Sequence, residues 1–385
     1  MLNCPRRGLV MAMPSDIEAK TRATTPVASP MPDAETEARR FIDPSGKLLQ
    51  PVTKAWAPPE QLERLYHAMV LTRAFDEKAI ALQHTGRLGT YPSSLGQEAV
   101  AVGIAAGMAA EDILLPAFRE HGAQLWRGVA MLELLLYWGG DERGSDFKKA
   151  RVDFPVSIPV AAHFPHAAGV ALALRLKATR NVAVCVGGDG ATSKGDFYEA
   201  INIAGAWKLP AVFVVNNNQW AISVPVHAQT AARTLAQKAV AAGIEMDRVD
   251  GNDVLAVLDA VERAAARARS GDGPTLIEAV TYRLGDHTTS DNARRYRSDE
   301  EVSRHWIEEP IARLRAHLTN TGYWTKEREE DLHSQCSAAV EEAVAAYLAT
   351  AAEPPSAMFD HLFATLPAPL KRQCDLATAE ATSHD

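Results

Sequence analysis

The sequence predicts an α/β fold in which a mostly parallel sheet is flanked by helices and followed by a helical C-terminal extension. Short apolar runs alternate with stretches of helical periodicity along most of the chain. Two successive apolar runs, residues 182–186 and 211–215, end in the turns GGDG and NNN. A right-handed crossover between parallel strands would place both turns at the carboxyl edge of the sheet, where open α/β sheets bind ligands.

The composition is that of an ordinary globular protein. Of the 385 residues, 47% are hydrophobic and 23% are charged, which suits one large α/β domain with extensions or two domains. The formal charge of −8 argues against a general nucleic-acid or anionic-membrane surface. No apolar run of about 18 residues is present, so we expect no transmembrane helix. Four scattered cysteines lack metal-binding spacing, and Cys185 lies in an apolar strand, which indicates a reducing compartment.

The chain divides into three predicted parts. Residues 1–40 mix arginines, a short apolar patch and acidic residues, which suits a disordered leader better than a signal or transit peptide. Translation could equally start at Met1, Met11 or Met13. Residues 41–370 are expected to form a single domain, and residues 371–385 a flexible tail.

The predicted elements follow in order from Pro59, which opens a helix that runs through Leu82 with Leu62, Leu65 and Met69 in one apolar stripe. Further helices are expected at residues 99–108, 131–138, 166–177, 231–242 and 253–270, and again between residues 299 and 370. Strands are expected at residues 112–115, 182–186, 211–215, 246–249 and 274–282. Irregular chain is expected at residues 157–165, and a long polar loop at residues 283–298; such loops in compact domains are usually functional or disordered.

The turn after the first apolar run points to a metal-bound phosphate. A dinucleotide fingerprint fails, because the next glycine after Gly190 is Gly195, and a P-loop fails, because Asp196 stands where lysine is required. What remains is a Gly-Asp-Gly turn before a helix whose first amides can face a diphosphate. Magnesium commonly takes one or two oxygen ligands from protein and the rest from phosphate and water, which suits Asp189 and Asn218.

This combination resembles the thiamine-diphosphate motif, which opens with Gly-Asp-Gly and closes with paired asparagines. The segments TSKGDFYEAINIAGAWKLPAVFVVNNNQWAIS, TLAQKAVAAGI, VDGNDVLAV, GPTLIEAVTYR and HTTSDNARRYRS are also similar to the alpha subunit of 2-oxo acid dehydrogenases. That subunit belongs to the decarboxylating component of the pyruvate and branched-chain complexes. The resemblance runs from about residue 61 to residue 370 and implies a thiamine-diphosphate-binding fold.

The resemblance implies a set of metal and diphosphate contacts. Asp189 and Asn218 would ligate magnesium through their side chains, and Trp220 through its backbone carbonyl. Gly190 and Ala191 would offer backbone amides to the diphosphate of thiamine diphosphate.

It also implies the residues around the rest of the cofactor. Arg119 would neutralise diphosphate charge through its fixed guanidinium, and Phe118 stands beside it where many relatives have tyrosine. Ile158 and Val160 would contact the aminopyrimidine ring through backbone groups. Tyr91 matches an aromatic position that lines the cofactor site.

The polar loop would carry the catalytic residues His287 and Arg283. His287 matches the active-site histidine near the thiazolium and the incoming acyl acceptor, and Arg283, Tyr296 and Arg297 frame the loop. We expect the pKa of His287 to lie near the working pH, which suits proton shuttling. Thr288 follows it where animal relatives have a regulatory serine, but nothing in this chain indicates a kinase.

The resemblance implies partners as well. A beta subunit would complete the site, in a heterotetramer of two alpha and two beta chains, because no carboxylate for activating the aminopyrimidine can be assigned in this chain. The acyl group would pass to lipoyl groups on a dihydrolipoyl acyltransferase core in the cytoplasm, or less readily in the mitochondrial matrix.

The substrate stays open. Pyruvate is the preferred substrate, and a branched-chain acid (2-oxoisovalerate) or acetoin is the alternative. A different class of function is a non-catalytic phosphate-binding subunit. Asn216 stands where branched-chain relatives can carry arginine.

Overall fold

The computed structural model describes residues 37–49, 58–360 and 362–382. In these residues, five parallel strands form the central sheet. In sheet order they are β1 (Ile113–Leu115), β2 (Ala183–Gly188), β3 (Ala211–Asn217), β7 (Thr275–Val280) and β6 (Glu245–Asp250). A small antiparallel pair, β4 (Trp220–Ala221) and β5 (Val224–Pro225), follows β3.

Thirteen α-helices occur in the described residues. They are α1 (Pro59–His84), α2 (Glu98–Gly107), α3 (His121–Trp126), α4 (Met131–Trp138), α5 (His163–Leu176), α6 (Gly195–Ala206), α7 (Val226–Gln229), α8 (Lys238–Ala242), α9 (Val254–Ser270), α10 (Asp299–His305), α11 (Pro310–Asn320), α12 (Lys326–Ala349) and α13 (Ala368–Thr382). None of the helices in the described ranges is long and apolar enough to cross a membrane.

Helices cover both faces of the sheet, as parallel strands require. Val184 and Val212 pack into a core shared with α1, α2, α9 and α11. Their neighbours Cys185 and Phe213 point the other way, into a second core shared with α5, α6 and α8. The central strands are therefore apolar on both faces, which explains their continuous hydrophobic runs and confirms the predicted α/β class.

The strand register brings three turns to one edge. Gly188 of β2 pairs with Asn216 of β3, and Asn217 of β3 pairs with Val280 of β7. The Gly-Asp-Gly turn, the asparagine turn and the start of the long polar loop consequently emerge side by side at the carboxyl edge of the sheet.

Several boundaries differ from the sequence predictions. The predicted leader lies mostly outside the described residues, but Arg39 already donates its backbone N–H to Arg248 O at 2.9 Å, so ordered chain begins before residue 41. Only Lys238–Ala242 of the predicted helix 231–242 is helical. Helix α5 begins at His163, inside the segment expected to be irregular. Residues 371–382, expected in a flexible tail, belong to α13.

Candidate active site

A cavity of about 320 Å³ opens at the edge where the three turns meet. Most of the residues predicted from the sequence line it: Phe118, Arg119, Val160, Asp189, Gly190, Ala191, Asn218, Trp220 and His287. The cavity therefore brings together side chains and amides from five separate segments of the chain.

Asp189 supplies a buried carboxylate at the end of β2. Its side chain is 1% exposed, and its Oδ2 accepts a hydrogen bond from Gln229 Nε2 at 2.6 Å. Thr192 Oγ1 donates to the Asp189 carbonyl at 2.8 Å and so closes the turn. Burial raises the pKa of Asp189, because an ionised carboxylate is costly to keep away from water. A bound cation would remove that cost.

Asn218 lies across from this turn with its amide held in one orientation. Its Nδ2 donates to Gln97 Oε1 at 2.9 Å, and its Oδ1 accepts from the backbone N–H of Trp220 at 3.2 Å. The Trp220 carbonyl accepts from Arg283 Nη1 at 3.2 Å. Carboxylate, amide and carbonyl oxygens are the ligand types that magnesium takes.

Within the described ranges, no three His, Cys, Asp or Glu side chains gather into a metal-binding group. A cation held here would depend on Asp189, neutral oxygens of the protein and oxygens of its own ligand. Such a ligand set suits a metal that arrives already bound to phosphate.

Gly190 allows two segments to approach closely. A Cβ built on Gly190 would lie 2.8 Å from the Cβ of Ala221 in β4, so a side chain here would push the two segments apart. The amides of Gly190 and Ala191 line the cavity at the start of a 3₁₀ turn, where backbone N–H groups can face an anion.

Arg119 and His287 form a hydrogen-bonded pair at the cavity wall. Arg119 Nη2 donates to the His287 carbonyl at 2.7 Å and lies 3.0 Å from His287 Nδ1. Since a guanidinium group only donates, Nδ1 accepts and the neutral ring carries its proton on Nε2. Burial and the nearby charge of Arg283 lower the pKa of Arg119 to about 10, so Arg119 stays charged at neutral pH.

The predicted pKa of His287 near the working pH is wrong. Burial, followed by the charges of Arg119 and Arg283, lowers the pKa of His287 to about 4. Both arginines lie within hydrogen-bonding distance of its Nδ1, at 3.0 Å and 3.4 Å. The histidine is therefore a neutral hydrogen-bonding group at pH 7 in the unliganded chain.

Arg283 does not line the cavity but supports the residues that do. It is 1% exposed, and its guanidinium donates to the Trp220 carbonyl, the Ile222 carbonyl and the Tyr296 hydroxyl. The Tyr296 hydroxyl in turn donates to Asp291, which also accepts from the His287 backbone N–H at 2.9 Å. Arg283 thus links the β4 segment to the polar loop.

The other predicted residues are divided between the cavity and its surroundings. Phe118 and Val160 line it, and the Phe118 ring meets the His287 ring edge to face with centroids 6.0 Å apart. Ile158 is 48% exposed and lies off the cavity surface. Tyr91 is completely buried behind the wall, with its hydroxyl bonded to Asp76 and His121.

Sequence reasoning missed several residues of the site. Gln97 orients Asn218, Gln229 bonds to Asp189, and His163 and Glu120 line the cavity. Burial raises the pKa of Glu120 to about 7. Gln97 lies in GQEA, which gives a sequence signal for a helix start but none for which strand end it will meet.

Known proteins match most of the chain. Residues 66–356 match the family described as Dehydrogenase E1 component. The pyruvate dehydrogenase E1 component subunit alpha of Acholeplasma laidlawii is 41% identical over 335 residues, which are 86% of this chain and 96% of the relative. The 3-methyl-2-oxobutanoate dehydrogenase subunit alpha of Mycobacterium tuberculosis (strain ATCC 25618 / H37Rv) is 47% identical over 275 residues, 71% of this chain and 75% of the relative.

A third relative, the pyruvate dehydrogenase E1 component subunit alpha of Bacillus cereus, is 40% identical over 314 residues, 81% of this chain and 84% of the relative. The range matched to the family, residues 66–356, includes the segments that build the cavity, from Arg119 to His287. The chain therefore belongs to the dehydrogenase E1 component family.

Proposed function

We propose that this chain is the alpha subunit of a 2-oxo acid dehydrogenase that decarboxylates pyruvate with thiamine diphosphate and magnesium. The acyl group then passes to lipoyl groups of a dihydrolipoyl acyltransferase core. The observation that carries the proposal is the meeting of Asp189, Asn218, Arg119 and His287 around one cavity at the carboxyl edge of the sheet.

The charged side chains of the cavity favour binding of a ligand that contains both a cation and an anion. Asp189 is a buried carboxylate with a raised pKa, and Arg119 is a buried guanidinium with a lowered pKa. Magnesium would be held by Asp189, Asn218 and the Trp220 carbonyl. The diphosphate would meet the amides of Gly190 and Ala191 and the charge of Arg119.

Unpartnered polar atoms at the cavity wall also favour a bound ligand. Among the described residues, Asn216 Oδ1, Gln97 Nε2 and His163 Nδ1 are buried without a hydrogen-bond partner. A buried polar group left in this state costs about 1–3 kcal/mol, and a ligand with complementary groups would recover it.

When bound, thiamine diphosphate supplies a carbanion that adds to the keto carbon and stores the electrons released by decarboxylation. His287 is proposed to act beside it as a neutral ring that donates from Nε2. Its Nδ1 is held by Arg119, so the proton on Nε2 is fixed before the acyl acceptor arrives.

We further propose that a beta subunit completes the site. Within the described part of the chain, the acidic side chains that line the cavity are Asp189, which would hold the metal, and Glu120, and we assign neither to the aminopyrimidine. Val160 and Ile222 line the cavity while remaining 48% and 55% exposed. Exposed apolar side chains that line a cavity suit coverage by a second protein. The bacterial origin of the relatives supports action in the cytoplasm.

A branched-chain 2-oxo acid is the second candidate substrate. The specific support is the 47% identity to the M. tuberculosis subunit, whose name specifies 3-methyl-2-oxobutanoate. Acetoin remains an alternative from the sequence motifs. A non-catalytic phosphate-binding subunit is the different class, and it would need none of the residues around His287.

The test is a substrate panel on the chain reconstituted with its beta subunit, lipoyl acceptor, magnesium and thiamine diphosphate. We expect kcat/KM for pyruvate to exceed those for 3-methyl-2-oxobutanoate and acetoin. A preference for 3-methyl-2-oxobutanoate or acetoin would change the substrate assignment and leave the proposed enzymatic role intact. Cofactor binding without turnover of any of the three would support the non-catalytic alternative.

A further inference from the structure

We infer that Asp76 and Tyr91 are positioning residues that hold Arg119 and the His287 loop in place. They act through residues 91–95, a segment between α1 and α2 that we call the brace. The catalytic meaning of this inference rests on the proposed function, whereas the contacts themselves belong to the chain alone.

The brace touches the active-site groups through its main chain. The Tyr91 carbonyl accepts from the Thr289 N–H at 2.9 Å, and the Tyr91 N–H donates to Thr289 Oγ1 at 3.1 Å. The Leu95 carbonyl accepts from the Leu284 N–H at 3.3 Å. These bonds hold the polar loop on both sides of His287.

The same segment also holds Arg119. The Ser93 carbonyl accepts a hydrogen bond from Arg119 Nη1, while Arg119 Nη2 bonds to His287. A shift of the brace would therefore move the guanidinium and the histidine together.

Asp76 on α1 anchors the brace. Its Oδ1 accepts from the Tyr91 hydroxyl at 3.0 Å and from the Ser94 N–H at 2.8 Å. Its Oδ2 accepts from the Ser93 hydroxyl at 2.6 Å. Asp76 is 1% exposed, and burial raises its pKa while these hydrogen bonds oppose the rise. A buried carboxylate of this kind ties three brace residues to a long helix.

Tyr91 receives a fixed orientation from two further side chains. Trp138 Nε1 donates to His121 Nε2 at 3.0 Å, and because an indole only donates, the neutral His121 ring carries its proton on Nδ1. His121 Nδ1 lies 3.2 Å from the Tyr91 hydroxyl, which accepts from it and donates to Asp76. Burial and the charge of Arg119 lower the pKa of His121 to about 3, so this direction holds across the working pH range.

The test compares two Tyr→Phe substitutions at buried positions. Tyr91→Phe removes the hydroxyl that links His121 to Asp76. Tyr66→Phe is the control, because it removes the hydroxyl of an equally buried tyrosine on α1, which bonds to Glu329. Asp76→Asn is a second variant, which places an amide donor among the donors of the brace.

Two readouts separate positioning from packing. The first is the rate at which trypsin cleaves the full chain after Arg294 and Arg295, which are exposed in the His287 loop. The second is the Kd for magnesium and thiamine diphosphate, measured by calorimetry with the beta subunit present. A further pair of variants changes the loop side of the contact: Thr289→Val removes the hydroxyl that accepts from the Tyr91 N–H, and Thr289→Ser keeps it.

For Tyr91→Phe we expect loop cleavage about 5- to 10-fold faster and a Kd about 3- to 10-fold weaker, the range of one lost hydrogen bond. Asp76→Asn and Thr289→Val should also speed cleavage, and Thr289→Ser should not. Tyr66→Phe should lower Tm and leave both readouts at the wild-type level.

Wild-type cleavage in both Tyr91→Phe and Asp76→Asn, with Tm lowered as in Tyr66→Phe, would overturn the inference and leave a merely structural cluster. Faster cleavage with an unchanged Kd would overturn the part of the inference that says the brace positions Arg119. Loop cleavage is measured without cofactor, so it still decides the positioning role if the proposed thiamine diphosphate function fails.

Discussion

Two buried side chains in the cavity, Asp189 and Arg119, carry opposite charges. The pKa of Asp189 is raised by burial, and the pKa values of Arg119 and His287 are lowered by burial and by neighbouring positive charge. Each shift reflects an ionised form that lacks enough compensation in the unliganded chain. A metal-bound diphosphate would compensate both signs at once.

The first prediction concerns Asp189→Asn. Mutating a residue that only hydrogen-bonds to a metal ligand typically lowers metal affinity about 10- to 100-fold. Because Asp189 would be a direct ligand, we expect magnesium-dependent affinity for thiamine diphosphate to fall at least about 100-fold. The raised pKa means that the ionised carboxylate destabilises the empty fold at pH 7, so Tm of the unliganded variant should rise.

Asp196→Asn is the matched control, because it removes the same charge from the first turn of α6 beyond the cavity. It should leave the calorimetric Kd within about threefold. Wild-type affinity in Asp189→Asn would refute the ligand assignment.

The second prediction concerns the titration of His287. Its pKa should be near 4 in the unliganded chain by NMR of the ring. It should rise when a diphosphate binds, because the anion offsets the charges of Arg119 and Arg283. An unliganded midpoint near 6.5, the ordinary value, would contradict the geometry.

The same shift predicts a pH dependence of stability. Between the ordinary pKa of about 6.5 and the folded pKa of about 4, the unfolded chain binds more protons than the folded chain. The His287 contribution to the free energy of unfolding should therefore increase with pH across that window. Urea unfolding of the wild type and of His287→Gln at pH 5 and pH 7 measures this contribution. If the free energy of unfolding changed equally with pH in the two proteins, the prediction would be wrong.

At the scale of elements, the sheet edge depends on close packing between the 3₁₀ turn after β2 and the β4 segment. Gly190→Ala would place a Cβ 2.8 Å from Ala221 Cβ and displace one of the two segments. Overpacking of this kind costs about 1–3 kcal/mol, and we expect Kd for magnesium and thiamine diphosphate to weaken about tenfold or more.

The matched control for that change is Gly169→Ala in α5, where an added Cβ meets nothing within 4 Å. It should stabilise the helix by about 0.5–1 kcal/mol and leave the Kd unchanged. Binding by Gly190→Ala at wild-type affinity would show that the close approach is not required.

The sequence predicted the elements best where a local pattern decides them. The runs at β2 and β3 are apolar on both faces, so their strands and the meeting of their turns followed from parallel topology. Only α8 of the predicted helix 231–242 is helical, because residues 231–237 form bends and a turn in which Thr234 Oγ1 accepts from the Gln237 N–H at 3.4 Å. Helical propensity alone could not decide between the two.

The positions of Asp189 and Asn218 were predictable from the sequence, and the environment of the site was not. Asp189 and Asn218 follow strands, so their position could be read from the order of elements. The low pKa of His287 depends on Arg119, 168 residues away along the chain, and on burial. Tyr91 likewise needed the fold to reveal its contact with Asp76.

At the scale of the whole molecule, we propose that the chain contributes one wall of an active site. The cavity gathers the groups that we propose for binding a metal and a diphosphate and for meeting an acyl acceptor, and exposed apolar residues line it. The central claim is that this wall works only when a beta subunit covers it.

Oxidative decarboxylation by the purified chain, with and without its beta subunit, tests that claim most directly. Thiamine diphosphate, magnesium, pyruvate and a lipoyl acceptor are supplied in both cases, and product is measured as carbon dioxide released and lipoyl groups acylated. We expect turnover by the two subunits together and none above background by this chain alone. Robust turnover by this chain alone would contradict it.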